Sequence, residues 1–348
     1  TLRPDERRAL IHSFSGVPLP SFRKVLNSFD LDEVSQPQRV AALEVMGHHG
    51  EAVDVLRMLE WAQVEGAKSR IPRSVRAAFG EQLHGLVIRA PDTLTIIPAV
   101  YTAANLSLLP SLLSGLDPAH EPSHLALVCE LLGRVPEFDL YLLAEIASSS
   151  ANLSYESDKE LAAKVRPYLI GSDVNAAREA ITAAMHFGDR DAIDSLIKRL
   201  DGAPSMRSRA LKALSSITGQ QLAPSREAWT EWHKSAQLWW SREAPKLMDR
   251  AASAAPGVAS RAIQKLSMAR MYRHELVAPL LLALHRDEVE IVVLTSAVLG
   301  HLGSKHAIAP LVAQLRNGNE DIRRAAYQAL RRLTGENYGD DAEAWLRA

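Results

Sequence analysis

The feature that most constrains this chain is that part of it is written twice. Residues 213–229, ALSSITGQQLAPSREAW, align with residues 329–345, ALRRLTGENYGDDAEAW, 116 positions further on. Ala213/Ala329, Leu214/Leu330, Thr218/Thr334, Gly219/Gly335, Glu227/Glu343, Ala228/Ala344 and Trp229/Trp345 are identical in the two copies. Just upstream, 184–200 (AMHFGDRDAIDSLIKRL) lines up with 299–315 (LGHLGSKHAIAPLVAQL) at an offset of 115. The stretch 46–53, MGHHGEAV, reads as a third copy of the turn, which would put Gly50, Gly188 and Gly303 at one structural position. A chain that repeats a short unit is not counted in ordinary globular domains, because each unit must bury its apolar face against its neighbours.

The repeated unit is helical. Apolar residues recur at helical spacing in blocks of about 10 to 14, and no convincing period-two stretch interrupts them. The pattern predicts helices over 20–29, 37–47, 51–63, 74–89, 137–148, 174–187, 205–217, 225–240, 258–270, 288–301, 320–333 and 341–347, with others between them and one at 4–13. An Ala-rich helix ends at a Gly able to take the left-handed conformation, and a Leu-rich helix follows. Over 320–333, Ile322, Ala325, Ala326, Ala329 and Leu333 share one face while Arg324, Tyr327 and Arg331 fall opposite. Small residues on the buried face allow a neighbouring helix to approach closely. An aromatic content of only 5%, with Ala and Leu dominant, also argues against sandwiches and barrels.

The units EDIRRAAYQALRRLTG (320–335) and GHLGSKHAIAPLVAQL (300–315) resemble HEAT repeats of the short kind first recognised in phycobilin lyases. There, a helix like "VRRAAxxALGxLG" is followed by one like "AIPxLIxxL". The resemblance is good over 174–235 and 287–348, fair over 37–62 and 262–285, and eroded between 66 and 170. It implies an all-α fold, an α-solenoid or superhelix of antiparallel HEAT-like helix pairs, with second helices lining the concave side. The organisation expected is an N-terminal helical cap (1–36), divergent helical repeats (37–170), a HEAT-like block (171–240), a linker or joint (241–257) around Pro245, Pro256 and Gly257, and a C-terminal HEAT-like block (258–348). No single activity follows, because this repeat class serves scaffolding, lyase-chaperone and DNA-repair roles.

Chemistry-bearing motifs are sparse. The one cysteine, Cys129, excludes an intramolecular disulfide framework or a Cys-rich metal site. A net charge of -1 excludes a broadly cationic nucleic-acid coat, although residues 1–170 carry 16 basic and 21 acidic groups and residues 171–348 carry 24 and 20. Arg207, Arg209, Lys212, Arg323, Arg324, Arg331 and Arg332 recur on equivalent helices, so a nucleic-acid-binding or DNA-repair-type protein using the basic C-terminal half is an alternative. Solvated faces and ion pairs explain those residues more cheaply. No phosphate-binding glycine loop, nucleophile elbow or nucleophile with an identifiable base is present.

His120-Glu121-Pro122-Ser123-His124 spells H-E-x-x-H, with Glu145 downstream, which in a zinc hydrolase would supply the metal ligands. That chemistry needs both imidazoles on one continuous helix. Pro122 reads instead as the first residue of a new helix, which leaves a surface loop with two exposed histidines. His48, His186 and His301 are expected to face helix-end carbonyls and not to gather as ligands. No catalytic residue, cofactor or metal is assigned. Residues 93–116 carry no charge, but Pro98, Asn105 and Pro110 divide them into two buried helices, 93–104 and 106–115, in preference to a membrane span. The opening TLRPDERRAL has no apolar core of a signal peptide, so a cytoplasmic location is expected, and the excess of Arg over Lys suggests a bacterial source.

Five of the six tryptophans lie at 229, 232, 239, 240 and 345. Trp229, Trp232, Ala236 and Trp240 fall near one stripe of a helix, with Trp239 as the more exposed ring. They read either as large rings covering the end of a repeat block or as an aromatic anchor for a partner. The partner-binding candidates are Trp232, Trp239, Trp240, Arg324, Tyr327 and Arg331. The expected function is that of a non-enzymatic scaffold or adaptor binding another protein along a solenoid surface, with helices 190–200, 225–240, 274–285 and 305–316 supplying contacts.

Overall fold

A computed structural model of the chain describes residues 17–63, 71–117, 122–150, 155–339 and 341–347. The helix predicted at 4–13, together with His120 and Glu121, lies outside these residues. Every regular element among the described residues is helical. The chain forms two compact units, Thr1–Asn152 and Leu153–Ala348.

The first unit contains α1 (Leu19–Leu26), α2 (Gln36–His49), α3 (Asp54–Ala62), α4 (Arg73–Arg89), α5 (Ile97–Ala103), α6 (Leu109–Leu116), α7 (Pro122–Leu131) and α8 (Asp139–Ser149). Alternate helices touch: α2 meets α4, α4 meets α6, α3 meets α5 and α5 meets α7. The α4–α6 crossing is close because glycine meets backbone there. A Cβ on Gly80 would lie 2.7 Å from the Ser111 carbonyl oxygen, and one on Gly115 would lie 2.9 Å from that of Gly80. The uncharged stretch is divided as expected, with Asn105 Oδ1 accepting the Ser107 N–H at 2.9 Å between α5 and α6. Ile97, Val100, Leu109, Leu112 and Leu116 are fully buried. Among the described residues no helix is long and apolar enough to cross a membrane.

At the start of α3 the buried Asp54 accepts Arg23 Nε at 2.9 Å and Nη2 at 2.7 Å, Arg57 Nη1 at 3.0 Å and the Glu51 N–H at 2.9 Å. Burial pushes its carboxyl pKa up, but hydrogen bonds from Arg23 and the Glu51 backbone, with the two guanidinium charges, leave it below its ordinary value. Arg23 thereby ties α1 to α3.

The second unit contains α9 (Tyr155–Leu169), α10 (Val174–Phe187), α11 (Ile193–Lys198), α12 (Pro204–Thr218), α13 (Arg226–Arg242), α14 (Ala244–Ser253), α15 (Pro256–Ser267), α16 (Val277–Leu284), α17 (Val289–Leu302), α18 (Ile308–Gln314), α19 (Glu320–Thr334) and α20 (Ala342–Arg347). Alternate helices again touch: α10 meets α12, α11 meets α13, α15 meets α17, α17 meets α19 and α18 meets α20. Helix α9 packs along α10, so residues 155–169 belong to this unit. The stretch 241–257 is not a linker. Helix α14 follows α13 after one residue, buries Ala244, Leu247 and Ala251, and packs on α15 and α16. Pro245 sits in the first turn of α14, where its missing N–H leaves no hydrogen bond unmade.

The duplicated sequence makes duplicated bonds. Thr218 Oγ1 donates to the Leu214 carbonyl at 2.7 Å and accepts the Gln220 N–H at 3.1 Å; Thr334 does the same with Leu330 and Glu336, at 3.1 Å each. Ser225 caps the Ala228 N–H at 3.1 Å, and Asp341 caps that of Ala344 at 3.0 Å. Trp229 and Trp345 are both wholly buried. Arg207 and Arg323 donate to the carbonyls that end the preceding helix, Leu200 at 2.8 Å and Asn317 at 2.8 Å. Arg199 reaches further back, to Leu169 and Gly171 at the end of α9, and in the first unit Arg89 of α4 donates to Gly47 and Gly50 at the end of α2.

The third turn copy departs from the other two. Gly188 and Gly303 are left-handed, with φ of 64° and 78°, whereas Gly50 is extended at φ −71°. Glycine is needed at position 50 for room, since a Cβ would lie 2.5 Å from the Met46 carbonyl oxygen.

Helices α17 and α19 meet at Gly300, where a Cβ would lie 2.7 Å from Ala329 Cα. Gly300→Ala is expected to destabilise the second unit by about 1–3 kcal/mol. Gly257→Ala, with nothing within 4 Å of the added atom, is expected to be neutral or stabilising. Urea denaturation followed by circular dichroism distinguishes the two.

Candidate functional site

Helix α13 carries two parallel stripes, and each faces a different hollow of the second unit. Trp232, Ala236 and Trp239, spaced by four and three residues, line a groove of about 400 Å³ with Lys265, Met268, Arg270, Met271 and Tyr272. His233, Gln237 and Trp240, one residue along, line a hollow of about 360 Å³ with Arg190, Asp191 and Asp194. Met271 and Tyr272 belong to both. The four-residue stripe read from the sequence is therefore off by one position: Trp239 and not Trp240 shares the groove with Trp232 and Ala236, and Trp229 is core.

The rings are held differently. Trp240 stacks on Tyr272 with centroids 3.9 Å apart and planes 5° from parallel, and the Arg190 guanidinium lies 5.0 Å over the same tyrosine. Arg190 also pairs with Glu275. Trp232 meets Trp229 edge-on at 5.8 Å. Trp239, half-buried, has no ring partner among the described residues, and Met268 beside it is 77% exposed. The groove thus combines fixed walls with an unstacked indole and a flexible thioether, a surface suited to seating another apolar side chain. The turn that brings Met268, Arg270, Met271 and Tyr272 there is a short 3₁₀ segment, Arg270–Tyr272, packed on α12.

In the second hollow, buried His233 holds Asp194 Oδ1 at 3.0 Å through Nδ1, and Gln237 Nε2 lies 3.2 Å from its Nε2. No Ser, Thr or Cys lines that hollow among the described residues. Nearby, His274 has Nδ1 3.0 Å from the buried Ser304 Oγ. Burial, then the positive charges of Arg273, His306 and Arg190, push its pKa down from 6.5 to about 3.

The remaining candidates lie elsewhere. Tyr327 donates to Asn337 Oδ1 at 2.7 Å and meets Trp345 edge-on at 6.3 Å, with the Arg331 guanidinium 5.8 Å over its ring. These contacts hold the C-terminal turn against α19. Arg324 pairs with Glu320 at 2.7 Å. Of the H-E-x-x-H residues, Pro122 opens α7 as expected, but His124 is buried and not exposed, its Nδ1 against the Leu116 carbonyl. Glu145 accepts the Ser149 hydroxyl at 3.3 Å. Among the described residues no group of three or more His, Cys, Asp or Glu could hold a metal ion.

No family model matches the chain, and no curated protein matches it. An engineered protein whose crystal structure was solved by the Northeast Structural Genomics Consortium aligns over 99% of this chain and 87% of its own length, at 14% identity and a TM-score of 0.27. At that score the likeness carries no argument.

Two measurements separate the roles of these rings and histidines. Trp240→Ala is expected to cost the second unit about 2 kcal/mol through the lost stack, and Trp239→Ala less than about 1 kcal/mol, read by chemical denaturation. His274 is neutral when folded, and the unfolded chain takes up a proton there below pH 6.5. Its contribution is complete above that pH and is lost as pH falls toward 3, so the melting temperature is expected to drop over that window and to drop less in His274→Gln.

Proposed function

We propose that the chain is a non-enzymatic protein-interaction scaffold, an α-solenoid of HEAT-like helix pairs that receives a partner protein in the groove beside Trp239. The observation that carries this reading is the groove itself: two indoles, two methionine side chains and Tyr272 line a hollow of about 400 Å³, and one of the indoles is left unstacked. Alternate-helix packing within each unit and the duplicated cap and clamp bonds support the repeat architecture. Stacked helix pairs offer a pre-formed surface, so little ordering entropy opposes binding.

Nucleic acid ranks behind a protein partner, because several of the recurrent arginines are already engaged. Arg207 and Arg323 hold backbone carbonyls, Arg324 is paired with Glu320 and Arg331 lies over Tyr327. A phosphate-binding stripe needs such groups available.

Affinity capture with mass spectrometry, using the full chain and its Trp239→Ala and Tyr327→Ala variants, tests the proposal. Trp239→Ala is expected to lose the partner that wild type and Tyr327→Ala both retain. Retention of every partner by Trp239→Ala would make the groove a structural seam.

A further inference from the structure

The charged side chains lining the groove are Lys265 and Arg270, both cationic and both exposed. Neither is in an ion pair among the described residues. Glu243, whose carboxyl feels the Lys265 charge, is already bonded to Lys246 at 2.9 Å. The stem of Arg270 lies along the left-handed Gly219, where an added Cβ would be 3.4 Å from Arg270 Cδ, so its position is set by backbone and not by a partner charge. An apolar hollow rimmed by two unpaired cations is complementary to an apolar group carrying a negative charge.

The neighbouring hollow sharpens the choice. It shares Met271 and Tyr272 with the groove but is lined by charges of both signs, Arg190 with Asp191 and Asp194, and these are already engaged: Arg190 with Glu275, Asp191 with Arg166 and Asp194 with His233. Of the two hollows that share this lining, only the groove offers cations without a partner charge among the described residues, so a carboxylate is drawn to that side. A basic segment would meet Lys265 and Arg270 as like charges. A volume of about 400 Å³ lies at the low end of ligand clefts, about 300–1,000 Å³, which suits one bulky side chain and its flanking backbone. A concave hollow of that size favours a peptide over an anionic lipid surface, which is met by a broad apolar face.

We infer that the occupant is an acidic-apolar segment of a partner protein: one large aliphatic or aromatic side chain seated against Trp239 and Met268, with Asp or Glu within two positions contacting Lys265 and Arg270. This rests on the groove being the partner site.

The test is a random twelve-residue peptide display library panned against the full chain, followed by fluorescence polarisation with the enriched peptides. Wild type is expected to enrich peptides that pair a bulky apolar residue with Asp or Glu. Lys265→Glu/Arg270→Glu is expected to weaken those peptides roughly tenfold and to enrich basic-flanked ones instead, while Lys265→Arg/Arg270→Lys retains the original preference. Thermal melts of each variant keep loss of folding separate from loss of binding. If enriched peptides need Trp239 but show no acidic bias, or ignore the charge reversal, the groove reading stands and the charge inference falls. If they are indifferent to Trp239→Ala, or none is enriched, both fall. Equal loss of binding to phosphatidylserine vesicles and to peptides on charge reversal, with vesicles bound more tightly, would also overturn the peptide assignment.

Discussion

How closely two helix backbones can approach governs this molecule more than any single polar contact. At Gly80 and Gly115, and again at Gly300 against Ala329, the space a side chain would need is already filled by the neighbouring helix. Alternate helices can then touch across the helix between them, as α4 and α6 do in the first unit and α17 and α19 in the second. Core side chains such as Leu83, Leu299 and Leu330 are fully buried because the helices above and below them are close enough to leave no gap. The capping bonds at Thr218 and Thr334 fix where each helix stops, and hence where the next one begins its return.

Much of this was legible beforehand, and the reasons are local. Helix α10 occupies the predicted span, and α19 ends one residue beyond its own, because an Asp or Asn cap and a Gly or Thr-Gly stop are written into the chain beside an apolar face at helical spacing. Pro122 was readable as a helix start for the same reason that Pro245 was misread as a break: proline favours the first turn and disrupts the interior, and composition alone does not say which applies. The buried state of His124 depends on the Leu116 carbonyl eight residues earlier, which no short-range rule supplies.

The candidate groove was legible only by half. Tryptophans 232 and 239 announced themselves by rarity, but which of the paired indoles at 239 and 240 turns toward the groove is a matter of 100° of helix rotation, and the helix phase is set by burial of Trp229 and His233. Lys265, Met268, Arg270 and Met271 have no local signature at all. Lys265 and Met268 come from the end of α15, and Arg270 and Met271 from the short turn after it, which is packed on α12.

The arginine clamps bear on how such a chain can change. A salt bridge between two repeats demands that two positions be kept in step, whereas Arg89, Arg199, Arg207 and Arg323 reach for backbone carbonyls, which every residue possesses. The bond itself therefore places no demand on the receiving side chain, and glycine at 47 and 50 is required for room and not for the clamp. Leu169, at the end of the stretch where the motif is eroded, receives Arg199 in this way, and Arg89 inside that stretch holds Gly47 and Gly50. These joints are made to the one part of the polypeptide that a substitution leaves in place.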